Sequence, residues 1–113
     1  MRLLAIVLNE REKLEEVLSA LLELDITGAT IIDTEGMAHV LAAEVPIFAG
    51  LRQLLTEARA SSKTIFALSR DDDIVSRVHK LLKQTGIDFS EPGTGVMFSV
   101  TVDEVIGSED TLI

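Results

Sequence analysis

The sequence predicts an α+β fold in which two β-α-β units share one four-stranded antiparallel sheet. Three observations lead there. A continuous apolar run over residues 3–8 precedes a helical apolar stripe, and a second apolar run follows over 29–34. The same order recurs in the second half, from residue 64 to residue 102. Each half carries a glycine, Gly28 or Gly86, where its helix should give way to the next strand. Two such units most economically form the split β-α-β, or ferredoxin-like βαββαβ, arrangement, with two helices on one face of the sheet.

Each element has its own warrant. The run 3–8 has no polar residue, which suits a central strand. Asn9 followed by Glu12 has the spacing of a capping box. Leu14, Val17, Leu18, Leu21 and Leu22 then recur at one-face helical spacing. Gly28 is expected to close the turn into strand 29–34. In the second unit, residues 64–68 (TIFAL) read as a strand, and Ser69 with Asp72 repeats the capping signal. Ile74, Val75, Val78, Leu81 and Leu82 make the second helical stripe, and Gly86 occupies the C-cap glycine position. Val96, Phe98, Val100 and Val102 alternate with Met97, Ser99 and Thr101, the period-two pattern of a strand.

Residues 37–62 form an insertion between strands 2 and 3. It is long for a hairpin connection, and such connections are often functional. Pro46 can start a helix, and Ile47, Phe48, Leu51, Leu54, Leu55 and Ala58 fall on one stripe, with Arg52, Glu57 and Arg59 off it. A short amphipathic helix over 46–60 is predicted. Because both predicted flanking helices cover one sheet face, the other face is left open, with Thr30, Ile32, Ile65 and Ala67 assigned to it. An apolar open face needs a partner, and a second copy is the simplest supply.

Composition narrows the function classes. With 113 residues, one domain spanning 1–113 is expected. The chain is 47% hydrophobic but only 4% aromatic, so its core is built from Leu, Ile, Val and Ala. The mean hydropathy of +0.34 points either to a well-filled core or to apolar surface hidden in an oligomer. A net charge of -9 argues against nucleic acid as a partner. The absence of Cys excludes disulfides, thiol catalysis and cysteine metal sites. The first apolar run is too short for a signal peptide, and no run of about 18 apolar residues exists to span a membrane. A cytoplasmic location without membrane insertion is expected.

Residues 13–33, KLEEVLSALLELDITGATIID, followed by Gly36, resemble the first half of the nitrogen-regulatory PII signal-transduction family. That family has a helix opening Lys-Leu-x-x-Val, then an Ile-Thr-Gly-x-Thr turn, here Ile26, Thr27, Gly28 and Thr30. In the second half, Gly93-Thr94-Gly95-Val96-Met97-Phe98 is similar to the family's Gly-Asp-Gly-Lys-Ile-Phe, and Val105-Ile106 to the Val-Ile that follows. The resemblance spans most of the chain except 37–62. It implies a ferredoxin-like homotrimer that binds adenine nucleotides in clefts between subunits. It also implies a long T-loop that touches transporters, enzymes or regulators. Carried onto this chain, the ligand contacts are Thr30, Gly36, Gly93, Thr94 and Gly95. The partner contacts are His39, Phe48, Leu51, Arg52 and Leu55, within the T-loop equivalent.

The departures are specific. Val96 stands where the family has a phosphate-holding lysine, and Gly107-Ser108-Glu109-Asp110 stands where it offers arginines. Phosphates need positive charge or several aligned N–H groups. Adenine nucleotide, the one cofactor implied, is therefore expected to bind weakly. Val40 replaces a glutamine that helps hold magnesium and 2-oxoglutarate in the family. The modifiable T-loop tyrosine has no counterpart, since the chain contains no Tyr.

Other features keep two readings each. Gly93-Thr94-Gly95 is a turn needing positive φ or a ligand loop. His39 is a solvated residue or a pH-sensitive contact, and His79 a flanking residue of its helix. Two separate histidines do not make a zinc site. Residues 70–73 (RDDD) favour a helix N-terminus over a cation site. Glu10, Glu12, Glu15 and Glu16 read as a solvated face. The 47–55 stripe packs within the trimer or docks a partner. No nucleophile–base pair is visible, so no enzyme is predicted. Two alternatives share the fold: an ACT-like amino-acid-binding module and a CutA-like structural trimer.

Overall fold

The computed structural model describes residues 1–44 and 61–107. Strand β1 (Arg2–Leu8) leads through a 3-10 turn (Arg11–Lys13) into α1 (Leu14–Glu23) and β2 (Thr30–Thr34). A helix α2 (Met37–Glu44) follows. Then come β3 (Ser62–Ser69), α3 (Ile74–Gln84) and β4 (Gly95–Thr101). The sheet order is β2-β3-β1-β4, and every pairing is antiparallel. This is the predicted ferredoxin-like order. The first strand of each unit lies in the middle, and α1 packs beside α3. The predicted helix over 46–60 lies outside the described residues. Helix α2 was not predicted, although MAHVLAAE is rich in strong helix formers.

The core explains why β1 is central. Its Leu4, Ile6 and Leu8 are fully buried against the helices. There they meet Val17 and Leu21 of α1, Ile65 and Ala67 of β3, and Ile74, Val78 and Leu82 of α3. This corrects the placing of Ile65 and Ala67 on the open face. The register pairs Ile65 with Ile6 and Ala67 with Leu4. Directly opposed residues share a face, so both point into the core. The open face instead receives Phe66 and Leu68 of β3, with Leu3, Ala5 and Val7 of β1.

The helix ends differ from expectation in three places. The Asn9–Glu12 capping box does not form, since no side chain caps the 3-10 turn or α1. Instead the Arg11 N–H donates to the Asn9 carbonyl at 3.1 Å and the Lys13 N–H to the Glu10 carbonyl at 2.9 Å. The extra turn satisfies those groups through the backbone and moves the α-helix start beyond Asn9's reach. The turn after α1 is closed by Asp25, at φ 63°, rather than by Gly28. Ile26 N–H donates to Leu21 O at 2.9 Å and Asp25 N–H to Leu22 O at 3.0 Å, a Schellman pattern. Aspartate is among the few non-glycine residues that visit the left-handed region. The turn after α3 closes the same way at Gly86, as predicted, with Ile87 N–H donating to Leu82 O at 3.0 Å. Before α3, the Ser69 hydroxyl accepts from Asp71 N–H at 3.1 Å and the Asp71 carboxylate from Asp73 N–H at 2.9 Å. Asp71, not Asp72, is thus the carboxylate that organises this entry.

Candidate ligand cleft and open sheet face

The register fixes where the proposed contacts sit. Gly95 pairs with Leu8, Leu8 with Lys63, and Lys63 with Asp33. The loop before β4, the end of β2 and the start of β3 therefore gather at one end of the sheet. Gly36 belongs to this end, and its carbonyl accepts the Val40 N–H at 3.2 Å as α2 begins. Thr30 lies on a different row, opposite Phe66, and that row continues through Ala5 to Phe98. β2 and β4 are opposite edges, three inter-strand steps or roughly 14 Å apart. Within one chain, Thr30 and Gly36 thus stand well away from Gly93, Thr94 and Gly95.

The loop itself is tightly committed. Thr94 is buried, its carbonyl accepts from Asn9 N–H at 3.0 Å, and its N–H donates to Glu91 O at 3.4 Å. Gly95 has φ 140°, and a Cβ there would lie 1.9 Å from the Val7 carbonyl oxygen and 3.2 Å from Phe89. Only glycine lets β4 approach β1 so closely. Gly93, at φ 85°, has open space where a Cβ would be. Its glycine serves a backbone conformation. Gly95 is therefore demanded by the β1–β4 junction and Thr94 is tied to it through its backbone carbonyl, whereas Gly93 alone is both exposed and free of contacts at the Cβ position.

Charge at this end is largely paired. Lys63 bonds Asp33 across the strands, and that hydrogen bond, with the lysine's charge, holds the Asp33 carboxyl below its usual range. Lys13 pairs with Glu10 at 2.8 Å, and the hydrogen bond raises the lysine above its ordinary value. Arg11 donates to the Ser61 hydroxyl at 2.7 Å, tying the start of the first helical unit to the foot of the insertion. Near the loop stand carboxylates. Asp88 is held below its usual range first by the Ser90 hydroxyl at 2.6 Å and then by the Ser90 N–H at 2.9 Å. His79 is half-buried rather than simply flanking. Its Nε2 lies 3.7 Å from Asp88, and its buried Nδ1 has no hydrogen-bond partner. His39 sits on α2, partly exposed. Phe48, Leu51, Arg52 and Leu55 lie outside the described residues. Among the described residues, no three His, Asp or Glu side chains gather where a metal ion could be held.

The open face has two characters. At the β2–β3 end, Thr34 hydrogen-bonds the Ser62 hydroxyl at 2.7 Å and the Thr64 hydroxyl at 2.8 Å. These hydroxyls satisfy one another and pin both feet of the insertion. Toward β4 the face is apolar. Val96 is 52% exposed, Phe98 46%, Val100 44% and Phe66 36%. Val96, at the position of the family's lysine, therefore contributes a methyl surface to this face. Phe66 and Phe98 flank Ala5, which they leave only 2% exposed. The sequence signal for this polarity was present in β4, whose apolar phase is the even-numbered one. The hydroxyl cluster carried no comparable signal, because its members come from two strands.

Comparison with known proteins agrees with the fold. No protein-family model and no curated protein matches the sequence. Among solved structures, the Arabidopsis thaliana PII protein bound to citrate is similar, with a TM-score of 0.61 over 99% of this chain and 85% of that one. Sequence identity is 19%, so the likeness is one of fold. This chain has a PII-like fold. No helix among the described residues is long and apolar enough to cross a membrane.

Proposed function

We propose that the protein is a PII-like regulatory homotrimer. It responds to a small molecule at clefts between subunits and acts on a partner protein through residues 37–62. The observation that carries the reading is the open face. A row of exposed valines and phenylalanines covers the β4 side of a sheet whose other face is already filled. Patches of this kind on a small domain mark association surfaces. The wide separation of Thr30 and Gly36 from the 93–95 loop supports the same reading. Those residues can line one pocket only if different copies supply them. The nucleotide reading is reduced to weak binding, since Val96 brings no charge and the nearby cations already have partners. A carboxylate ligand is a candidate too, given the citrate on the Arabidopsis protein. No catalytic role is assigned, and the expected setting is the cytoplasm.

Two measurements test this. Light scattering on the purified protein is expected to give the trimer mass, and a monomer would remove the intersubunit cleft. A thermal-shift screen of adenine nucleotides, 2-oxoglutarate, citrate, bicarbonate and amino acids follows ligand binding through stabilisation by mass action. ATP is expected to give a small shift or none, and a large shift would refute the charge argument. A dimer stabilised by an amino acid would replace the reading with the ACT-like one, and a trimer indifferent to every ligand with the CutA-like one.

A further inference from the structure

On the opposite side of the molecule, α1 and α3 leave a cleft of about 300 Å³ between them. Its rim carries Glu15, Glu16 and Glu23, and Ala20 and Leu81 lie between the helices. The pattern follows from helix geometry. Positions 16, 20 and 23 stack on one stripe of α1, beside α3. None of the three carboxylates makes an ion pair or hydrogen bond among the described residues, and α1 carries no basic residue in its last turn. At the far end of the groove the sign reverses. A second cleft of about 260 Å³ shares Glu23 and Leu81 but is lined by Arg77 and Lys80.

We propose that this groove docks a basic amphipathic segment of a partner protein, at a site separate from the 37–62 insertion. An apolar side chain of the segment covers Ala20 and Leu81. Lysine or arginine stems lie along the apolar floor while their heads pair with the glutamates. The net charge of -9 draws a basic partner from a distance, and the three glutamates repel the same acidic rim on a second copy. Lys80 gives the site a direction, because it excludes a basic residue from its end, while Arg77 beside it is already paired with Asp71 at 2.9 Å. The helix layer is on the reverse of the apolar sheet face, so self-association and docking do not compete.

The test uses the whole protein and three labelled peptides of about 15 residues, long enough to hold a helix. One has a leucine stripe flanked by lysines. The second carries glutamates in place of the lysines. The third has the composition of the first, scrambled to destroy the stripe. Fluorescence anisotropy is expected to detect binding of the first alone. Its amide shifts should fall on α1 and α3. Glu16→Lys with Glu23→Lys is expected to weaken it about tenfold or more, as is raising the salt until screening acts over a few ångströms. These positions are exposed, and circular dichroism should report an unchanged fold. Equal binding of the scrambled peptide, undiminished binding by the double variant, or no binding of the first peptide would each overturn the proposal.

Discussion

The two faces of the sheet are built from the same four strands, yet only one is complete in a single chain. On the helix side, Leu4, Ile6, Leu8, Ile65 and Ala67 are closed over by α1 and α3. On the other side, Val96, Phe98 and Val100 are as apolar and remain open. In β4 the usual arrangement is inverted. Ser99 and Thr101 share the helix-facing row with Met97, while the apolar phase faces outward. Apolar patterning therefore does not by itself report which face meets the chain's own helices.

The largest expected effect lies at the β1–β4 junction that both faces depend on. Gly95→Ala places a Cβ against the Val7 carbonyl. It should cost about 4 kcal/mol or more, enough to abolish the cooperative melt seen by circular dichroism. Next comes the contrast between faces. Ile65→Ala leaves a cavity in the closed face and should cost about 2–5 kcal/mol at any protein concentration. Phe98→Asp should instead leave the secondary structure in place and lower the mass in light scattering from trimer to monomer. If Phe98→Asp unfolds the chain as Ile65→Ala destabilises it, the two faces are not distinct. A smaller effect belongs to Gly93→Ala, which meets no atom but keeps a positive φ. Denaturant melts should show a loss of about 1 kcal/mol. A Gly93→Ala variant as damaged as Gly95→Ala would show that the two glycines do one job.

The smallest effect is a pH dependence. Asp88 is held below its ordinary carboxylate range by Ser90, and Asp33 likewise by Lys63. A group whose folded value is depressed stabilises the fold above its unfolded value, about 3.9, and loses that contribution as pH falls through the folded value. Stability should therefore drop below about pH 4. Asp88→Asn should flatten that part of the curve, leaving the portion due to Asp33. An unchanged acid limb in Asp88→Asn would remove Asp88 from the account.

Much of this was legible in the sequence. The strand and helix order follows from period two and from the i, i+3, i+4 spacing, which local geometry imposes whatever surrounds it. Gly86 announced its turn, because few residues tolerate a left-handed backbone. Asp25 did the same work with a weaker signal. The Asn9–Glu12 spacing misled, since a capping box also needs the helix to begin at the next residue. Helix α2 was overshadowed by the stronger apolar stripe after Pro46.

Residue types alone determined that the chain makes two β-α-β units with an aliphatic core of Leu, Ile, Val and Ala, carries no cysteine chemistry, and lacks a lysine at position 96. Tertiary structure decided which way each strand's residues face. Pairing register is a relation between distant segments, and a single strand's alternation says only that two phases exist. That relation sent Ile65 inward and Val96 outward. It put Gly95 against a carbonyl of β1 and set Thr30 at the opposite edge from the loop it was expected to join.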